Sequence, residues 1–139
     1  MKKHLEVAAA ILVRGGKILC AKRGAYKYNY VANKFEFPGG KLEAGETKTA
    51  ALERELREEM DLQIQVRDSD LYTTINYEYP DFTLTMYCFL CRLAGQKFVM
   101  KEHVAFDWLA PRDLSSVTWA PADAPILAKL AAEPENFFA

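Results

Sequence analysis

The sequence predicts an α+β fold with a mixed β-sheet, built as one domain over residues 1–139. Apolar runs of strand length precede and follow one strongly helical segment, and a second helical segment completes the order. No internal repeat, low-complexity tract or linker divides the chain. Half of the residues are hydrophobic, so a chain of this length can bury a sizeable core without disulfide bonds.

The chain begins with a predicted β-hairpin. Residues 5–13 form an apolar run that is typical of a buried strand, and residues 17–22 return after a tight turn at Gly15-Gly16. Two lysines before the run also resemble the start of a signal peptide. The run is too short and no cleavage-like stretch follows, so the strand is favoured.

The later elements follow from local composition. Residues 24–33 are polar and rich in tyrosine, which predicts a loop, and the strand-like KFEF stops at Pro38. Residues 46–60 contain strong helix formers and neither glycine nor proline, which predicts a helix. Further strands are predicted at residues 63–68, 70–79, 83–93 and 104–109, and a second helix at residues 122–132.

Charge and cysteine content limit the possible binding partners and the cellular location of the protein. The net charge is −1, so long-range attraction to nucleic acid or to an anionic membrane is not expected. No segment is long enough to span a membrane. The odd number of cysteines, three, predicts a reducing, cytoplasmic location. Cys88 and Cys91 spell C-x-x-C, but they should face opposite sides of a strand, so a shared zinc or redox site is not predicted.

One face of the first predicted helix is acidic. At 100° per residue, an apolar stripe faces the core and three carboxylates share the neighbouring face. The stripe consists of Leu52, Leu56 and Met60, and the acids are Glu55, Glu58 and Glu59. Carboxylates this close repel one another, and a divalent cation such as Mg²⁺, which prefers oxygen ligands, would turn that repulsion into binding. The alternative is a solvated acidic face, in which Arg54 and Glu58 form an ordinary i,i+4 pair.

The residues around this helix favour the metal-binding interpretation of its acidic face. Residues 40–62 read GKLEAGETKTAALERELREEMDL, which resembles the signature of the Nudix hydrolases. The matching residues are Gly40, Glu46, Arg54, Glu55, Leu56, Glu58, Glu59 and Leu62. One specified position departs, since Asp61 stands where the family has glycine. Asp tolerates the left-handed conformation expected there, so we expect Asp61→Gly to add up to roughly 1 kcal/mol of stability without changing turnover.

The resemblance extends over most of the chain. The stretches ANKFEFPGGKLEAGET, YEYPD and PADAPILAKL are similar to the MutT branch, which includes sanitisers of oxidised nucleotides and CTP pyrophosphohydrolases. The resemblance implies the Nudix fold, a mixed sheet sandwiched between helices. It also implies a Mg²⁺-dependent conversion of a nucleoside triphosphate and water to the monophosphate and pyrophosphate, with Mn²⁺ able to substitute for Mg²⁺.

The resemblance also implies roles for individual residues. Arg54 would orient the glutamates, and Glu46 would support the loop. Glu58 is the leading candidate for the most damaging single replacement, although the sequence does not assign the general base among the acids. Glu102 would act as a metal ligand or a base, with a surface loop acid as the alternative. The implied metal-binding residues are Gly39 (through its carbonyl), Glu55, Glu58, Glu59 and Glu102.

The implied substrate-binding residues are Arg23, Phe37, Lys41, Tyr79 and Asp123. Asp123 occupies the position where sanitisers of oxidised guanine carry asparagine. An ionised aspartate only accepts hydrogen bonds, which favours a donor such as the 4-amino group of cytosine. A plain helix N-cap is the alternative for Asp123. Phe82 stands where the guanine sanitiser carries arginine, which also weakens a strict oxidised-guanine assignment.

The expected partner is a small nucleotide, with CTP, dCTP or a modified nucleotide favoured, and the protein is expected to be a monomer or homodimer. ADP-ribose and dinucleoside polyphosphates are alternative substrates. A non-catalytic nucleotide sensor is a third possibility, but such domains usually lose acids that are retained here. The sequence leaves the role of the alternating Tyr26, Tyr28 and Tyr30 open between a lid over the substrate and packing on the domain.

Overall fold

The structure is a computed structural model and describes residues 2–25 and 30–139. Short 3₁₀ turns lie at Asp68–Asp70, Pro111–Ser116 and Glu135–Phe138. The strands and helices are β1 (Lys3–Arg14), β2 (Lys17–Lys22), β3 (Phe35–Glu36), β4 (Gly39–Lys41), α1 (Lys48–Met60), β5 (Leu71–Glu78), β6 (Phe82–Arg92), β7 (Ala105–Leu109) and α2 (Ala124–Ala131). None of the helices in the described ranges is long and apolar enough to cross a membrane.

Within the described residues, the strands form one mixed sheet, as predicted. The order is β3-β2-β1-β6-β5, with β4 paired to β1 and β7 paired to β2. β1 and β6 run parallel over their length, and the other pairs are antiparallel. The predicted turn at Gly15-Gly16 is confirmed, with φ values of 58° and 77° that glycine adopts readily.

The central strand β1 separates two apolar layers. Successive side chains of a strand point to opposite faces, so Ala8, Ala10 and Leu12 pack on the α1 side, whereas Ala9 and Ile11 belong to the cluster on the α2 side. Leu52, Leu56 and Met60 of α1 are fully buried in the first layer, and Ile126 and Leu130 of α2 are fully buried in the second. The sheet is therefore sandwiched between the two helices. Cys88 and Cys91 are buried in opposite layers, as their spacing predicted.

The predicted strand at residues 63–68 is wrong. Residues 63–67 form no strand, and a 3₁₀ turn begins at Asp68. The alternation in this segment arises because Val66 is buried under α1, where its N–H donates to the Glu53 carboxylate at 2.7 Å. Side-chain burial alone can produce a period of two, but a strand also requires a neighbouring backbone to bond with.

The helix bounds differ from the predictions by one or two residues. α1 begins after Thr47, whose hydroxyl accepts a hydrogen bond from Ala50 N–H, so Glu46 lies in the preceding turn. At the other end, Asp61 has the predicted left-handed conformation (φ 50°, ψ 27°). Its carboxylate also accepts from Lys101 Nζ at 2.6 Å, and Lys101 N–H donates to the carbonyl of Glu59. The loop that carries Glu102 is therefore attached to the end of α1.

Candidate active site

Helix α1 directs two of its three predicted acids into a pocket. Because Leu56 and Met60 are fixed in the core, Glu55 and Glu59 project toward β4 and line the pocket. Glu58 lies at the outer side of the same face, where its side chain is 62% exposed and contacts Arg54. The structure thus brings the three acids onto one region of the helix but places them at different depths.

Two glycines allow β4 to approach both β1 and the acids. Gly39 and Gly40 pair with Ala9 and Ala8 of β1. A Cβ atom at Gly39 would lie 2.0 Å from the carbonyl oxygen of Ala8, and one at Gly40 would lie 2.3 Å from the carboxyl carbon of Glu55. Close backbone packing therefore requires glycine at residue 39, whereas a side chain at residue 40 would have to displace the Glu55 carboxylate. Gly39, the predicted carbonyl ligand, lines the same pocket as Glu55 and Glu59.

Arg54 holds the acids in place. Its Nε and Nη2 donate to the two carboxylate oxygens of Glu46 at 2.7 and 2.9 Å, and its Nη1 donates to Glu55 at 2.8 Å and to Glu58 at 3.2 Å. Nη2 also donates to the carbonyl of Lys41. The hydrogen bonds from Arg54 lower the pKa of Glu46 to about 2. The guanidinium is therefore turned toward protein groups, and its orienting role in the reaction stays a prediction.

Glu59 provides the test of whether a metal fits. Among the described residues, its Oε2 atom is buried without a hydrogen-bond partner. Burial, followed by the nearby charges of Glu55, Glu36 and Glu102, raises the pKa of Glu59 to about 8. A buried carboxylate oxygen surrounded by other carboxylates is the donor set that a hard divalent cation stabilises. These oxygen donors are of the kind that Mg²⁺ takes, although no three acidic, histidine or cysteine side chains of the described residues are gathered closely enough to hold an ion as they stand. Glu102 is exposed on its loop, yet it is close enough to contribute to this field.

The pocket, of about 330 Å³, continues from these acids to an aromatic and apolar end. Phe37 and Tyr79 are each 3% exposed and form part of its wall, and Phe82 lies beside them. The ring of Phe37 packs on Trp119 with centroids 4.7 Å apart. Phe37 therefore belongs to the core and also lines the pocket. Lys41 is exposed at the rim.

Asp123 lies at this apolar end and is 6% exposed. Its Oδ1 accepts the backbone N–H of Phe37 at 3.1 Å. Asp123 occupies the N-cap position of α2, but its side chain makes no capping hydrogen bond there within the described chain, so the plain N-cap interpretation is wrong. Burial, and then the charge of Glu36, raise the pKa of Asp123 well above its usual range. The carboxyl group is thus held in the pocket wall by the segment between β3 and β4 and does not cap its own helix.

Tyr79 is held in the wall from both sides. Its hydroxyl accepts the N–H of Ala122 at 2.9 Å, and burial raises its pKa. Tyr30 stacks on it with centroids 4.8 Å apart, and the Tyr30 hydroxyl donates to Asp81. The prediction of packing is therefore supported for Tyr30. Tyr26 and Tyr28 lie outside the described residues.

Sequence reasoning missed two residues beside Arg23. The guanidinium of Arg23 donates from Nε and Nη2 to Glu36, and Glu36 also lies 2.9 Å from Nε2 of His103. Glu36 lies in the short strand before Pro38, and His103 follows Glu102, so each adjoins a feature that was recognised. The only available signal was that adjacency, because the contact joins residues 67 positions apart.

Comparisons with known proteins identify the family. The NUDIX domain family matches residues 2–130. The 8-oxo-dGTP diphosphatase of Escherichia coli K12 is 35% identical over 130 residues, covering 92% of this chain and 97% of that protein. The CTP pyrophosphohydrolase of the same strain is 34% identical over 135 residues, covering 90% of each.

A solved structure gives the same result in three dimensions. The solution structure of the E. coli ORF135 protein superposes with a TM-score of 0.77 at 32% identity, covering 94% of this chain and 91% of that one. The shared fold, the acidic helix face and its arginine, and the match over nearly the whole chain agree with one another. The chain belongs to the Nudix family and is a hydrolase of phosphoric anhydride bonds.

Proposed function

We propose that this protein converts a nucleoside triphosphate and water to the monophosphate and pyrophosphate, with CTP or dCTP, or an oxidised nucleotide, as substrate. The observation that carries the proposal is one continuous pocket. It joins the acids of α1 to a buried carboxyl group in an aromatic wall. A triphosphate at the acidic end and a base at the aromatic end would occupy it together. Such an enzyme would serve to sanitise the nucleotide pool.

The acidic end would hold Mg²⁺. Glu55 and Glu59, with the carbonyl of Gly39, line the pocket, and Glu58 and Glu102 would complete the oxygen donors from the rim. Bound there, Mg²⁺ would neutralise phosphate oxygens and activate water for attack on phosphorus. Mn²⁺ would substitute, because both ions accept carboxylate and phosphate oxygens.

The chain's own residues would position the substrate and the acids. Arg54 keeps the carboxylates of Glu55 and Glu58 in a fixed orientation. Arg23 in the wall and Lys41 at the rim would contact the anionic part of the nucleotide. Because Arg23 already donates to Glu36, we expect its orientation, more than a full positive charge, to matter for binding.

Asp123 would recognise the base. An ionised carboxylate would accept from the 4-amino group of cytosine, and a protonated carboxyl group would also donate to the neighbouring ring nitrogen. Both forms can therefore accept from the 4-amino group, and the protonated form matches the ring nitrogen as well. The 8-oxo-dGTP diphosphatase of E. coli, at 35% identity, favours oxidised guanine as the second candidate. A protonated Asp123 would present a donor and an acceptor to that base as well.

A product assay tests the proposal. The panel consists of the common ribo- and deoxynucleoside triphosphates, 8-oxo-dGTP, a 5-substituted dCTP, ADP-ribose and a dinucleoside polyphosphate, each with Mg²⁺ and with a chelator. We expect monophosphate and pyrophosphate from cytosine nucleotides only in the presence of the metal. Preferred cleavage of 8-oxo-dGTP would keep the reaction but contradict the assignment of Asp123 to cytosine.

Two variants of α1 test whether the measured activity depends on the predicted metal-binding acids. Glu58→Gln should lower kcat by at least about 100-fold if Glu58 is a metal ligand or base. Glu53→Gln is the matched control on the same helix, because the Glu53 carboxylate faces Val66 and an amide oxygen can still accept that N–H. Tight nucleotide binding without turnover of any compound would instead identify a sensor domain.

A further inference from the structure

Arg23 and Glu36 line the pocket, and His103, which does not line it, contacts Glu36, so the three side chains form a polar cluster. Glu36 accepts from Nε of Arg23 at 3.2 Å and from Nη2 at 2.9 and 3.0 Å, and it lies 2.9 Å from Nε2 of His103. The side chains of Glu36 and His103 are only 16% and 5% exposed. Glu36 and His103 are therefore largely buried, whereas the Arg23 side chain at the pocket is 36% exposed.

The carboxylate of Glu36 is already occupied by protein donors. Its two oxygens offer about four lone-pair positions, and the contacts from Arg23 and His103 use most of them. Little accepting capacity is left for a ligand. Glu36 is thus better suited to fixing Arg23 than to contacting substrate itself.

His103 is buried at a cost that packing alone does not explain. In the part of the chain that the structure describes, its Nδ1 atom is buried without a hydrogen-bond partner. An apolar side chain would avoid this cost, since an unsatisfied buried polar atom is unfavourable. Among the described residues, the polar contact of the imidazole is that to Glu36, which suits the tautomer that carries its proton on Nε2.

The backbone around the cluster is also held in place. Val104 N–H donates to the carbonyl of Lys22 at 3.0 Å, and Arg23 N–H donates to the carbonyl of Lys34 at 2.9 Å. The segments that carry His103, Arg23 and Glu36 are therefore tied to one another at the edge of the sheet. The hydrogen bonds to Glu36 then restrain the side chains of Arg23 and His103.

We propose that His103 is a positioning residue that acts through Glu36 to hold the guanidinium of Arg23 in the wall of the pocket. The inference rests on the proposed function, in which Arg23 contacts the nucleotide. His103 itself is not expected to touch the substrate. Its removal should weaken nucleotide binding because Glu36 would lose one of its donors and would hold Arg23 less firmly, whereas the metal-binding acids would keep their own support from Arg54.

A double-mutant cycle tests this coupling. His103→Leu should raise KM about tenfold and change kcat by less than about threefold, because a hydrogen bond to a charged group is lost away from the reacting atoms. In an Arg23→Lys background the same change should alter KM by less than about twofold, because coupled residues are not additive. His103→Gln, whose amide nitrogen can donate from a similar position, should recover most of the wild-type KM.

The control is His4→Leu, since His4 is the other histidine of the chain and contacts Thr83 on the exposed side of the sheet. Equal effects of His103→Leu in both backgrounds, or no recovery in His103→Gln, would overturn the proposal. Either result would identify a merely structural histidine.

A spectroscopic measurement separates this inference from the proposed function. The Nε–H resonance of Arg23 in a ¹⁵N-correlated NMR spectrum, assigned by its loss in Arg23→Lys, reports the contact to Glu36 without any substrate. We expect the resonance to shift or broaden in His103→Leu and to persist in His103→Gln and His4→Leu. An unchanged resonance in His103→Leu would refute the positioning role of His103 even if triphosphates are hydrolysed. If no triphosphate is hydrolysed, the proposed function fails while the resonance still decides the role of His103.

Discussion

Replacing Asp123 with asparagine tests whether its carboxyl group is held in an unfavourable electrostatic environment. Asp123 is 6% exposed, accepts one hydrogen bond from Phe37 N–H and experiences the negative charge of Glu36. An asparagine amide keeps an acceptor for Phe37 and removes the buried charge. We expect Asp123→Asn to increase the free energy of unfolding at neutral pH by about 1–3 kcal/mol, the range for an imperfectly satisfied buried polar group.

The size of this effect should depend on pH. The folded-state pKa of Asp123 lies above the ordinary value of 3.8, so the unfolded chain releases this proton first as the pH rises. The stability contributed by the group is complete below its unfolded pKa and is lost as the pH rises through the folded-state pKa. The asparagine variant has no such titration. The difference in unfolding free energy between variant and wild type should therefore grow as the pH increases above about 4.

Urea unfolding at a series of pH values, followed by tryptophan fluorescence, measures this difference. Asp113→Asn is the matched control, because Asp113 is exposed in a 3₁₀ turn. Asp123→Ala should lose stability instead, by about 1–3 kcal/mol, since it removes the acceptor for Phe37 N–H. A difference between Asp123→Asn and wild type that stays constant with pH, or a less stable asparagine variant at neutral pH, would refute the reasoning.

Three further predictions follow from the acidic end and its flanks. Arg54→Leu should lower kcat by about 10- to 100-fold and raise the Mg²⁺ concentration needed for activity, because Glu55 loses its orienting partner; a metal titration equal to wild type would contradict this. Gly40→Ala should keep the unfolding free energy within about 1 kcal/mol of the wild-type value, because its Cβ meets the flexible end of Glu55. It should lower activity by about 10- to 100-fold, because the Glu55 carboxylate is displaced. Thermal unfolding measures the first effect, and kcat measures the second. Asp61→Gly should change stability by less than about 1 kcal/mol, because relief of the left-handed conformation is offset by loss of the exposed ion pair with Lys101. The full gain expected from glycine should appear only in a Lys101→Met background, and an equal gain in both backgrounds would show that the ion pair contributes nothing.

The spacing of residues was sufficient to predict those parts of the structure that depend only on residues close in the sequence. The burial of Leu52 and Leu56 and the acidic neighbouring face follow from the helical period alone. The glycine pair at residues 15–16 and the left-handed Asp61 follow from backbone preferences of single residues. The strand predicted at residues 63–68 failed because a strand also depends on a partner, which no local pattern provides.

The sequence by itself determined the family resemblance, the acidic helix face and the order of the elements, because each is encoded in side-chain type and short-range spacing. Only the tertiary structure decided how deeply each acid lies. It buries the Oε2 atom of Glu59 and leaves Glu58 exposed, since depth depends on where β4 approaches the helix. It also directs the Asp123 side chain to the N–H of Phe37 in the pocket wall and brings Glu36 into contact with His103. These contacts join segments distant in the chain, and their electrostatic consequences arise only when folding removes the groups from water.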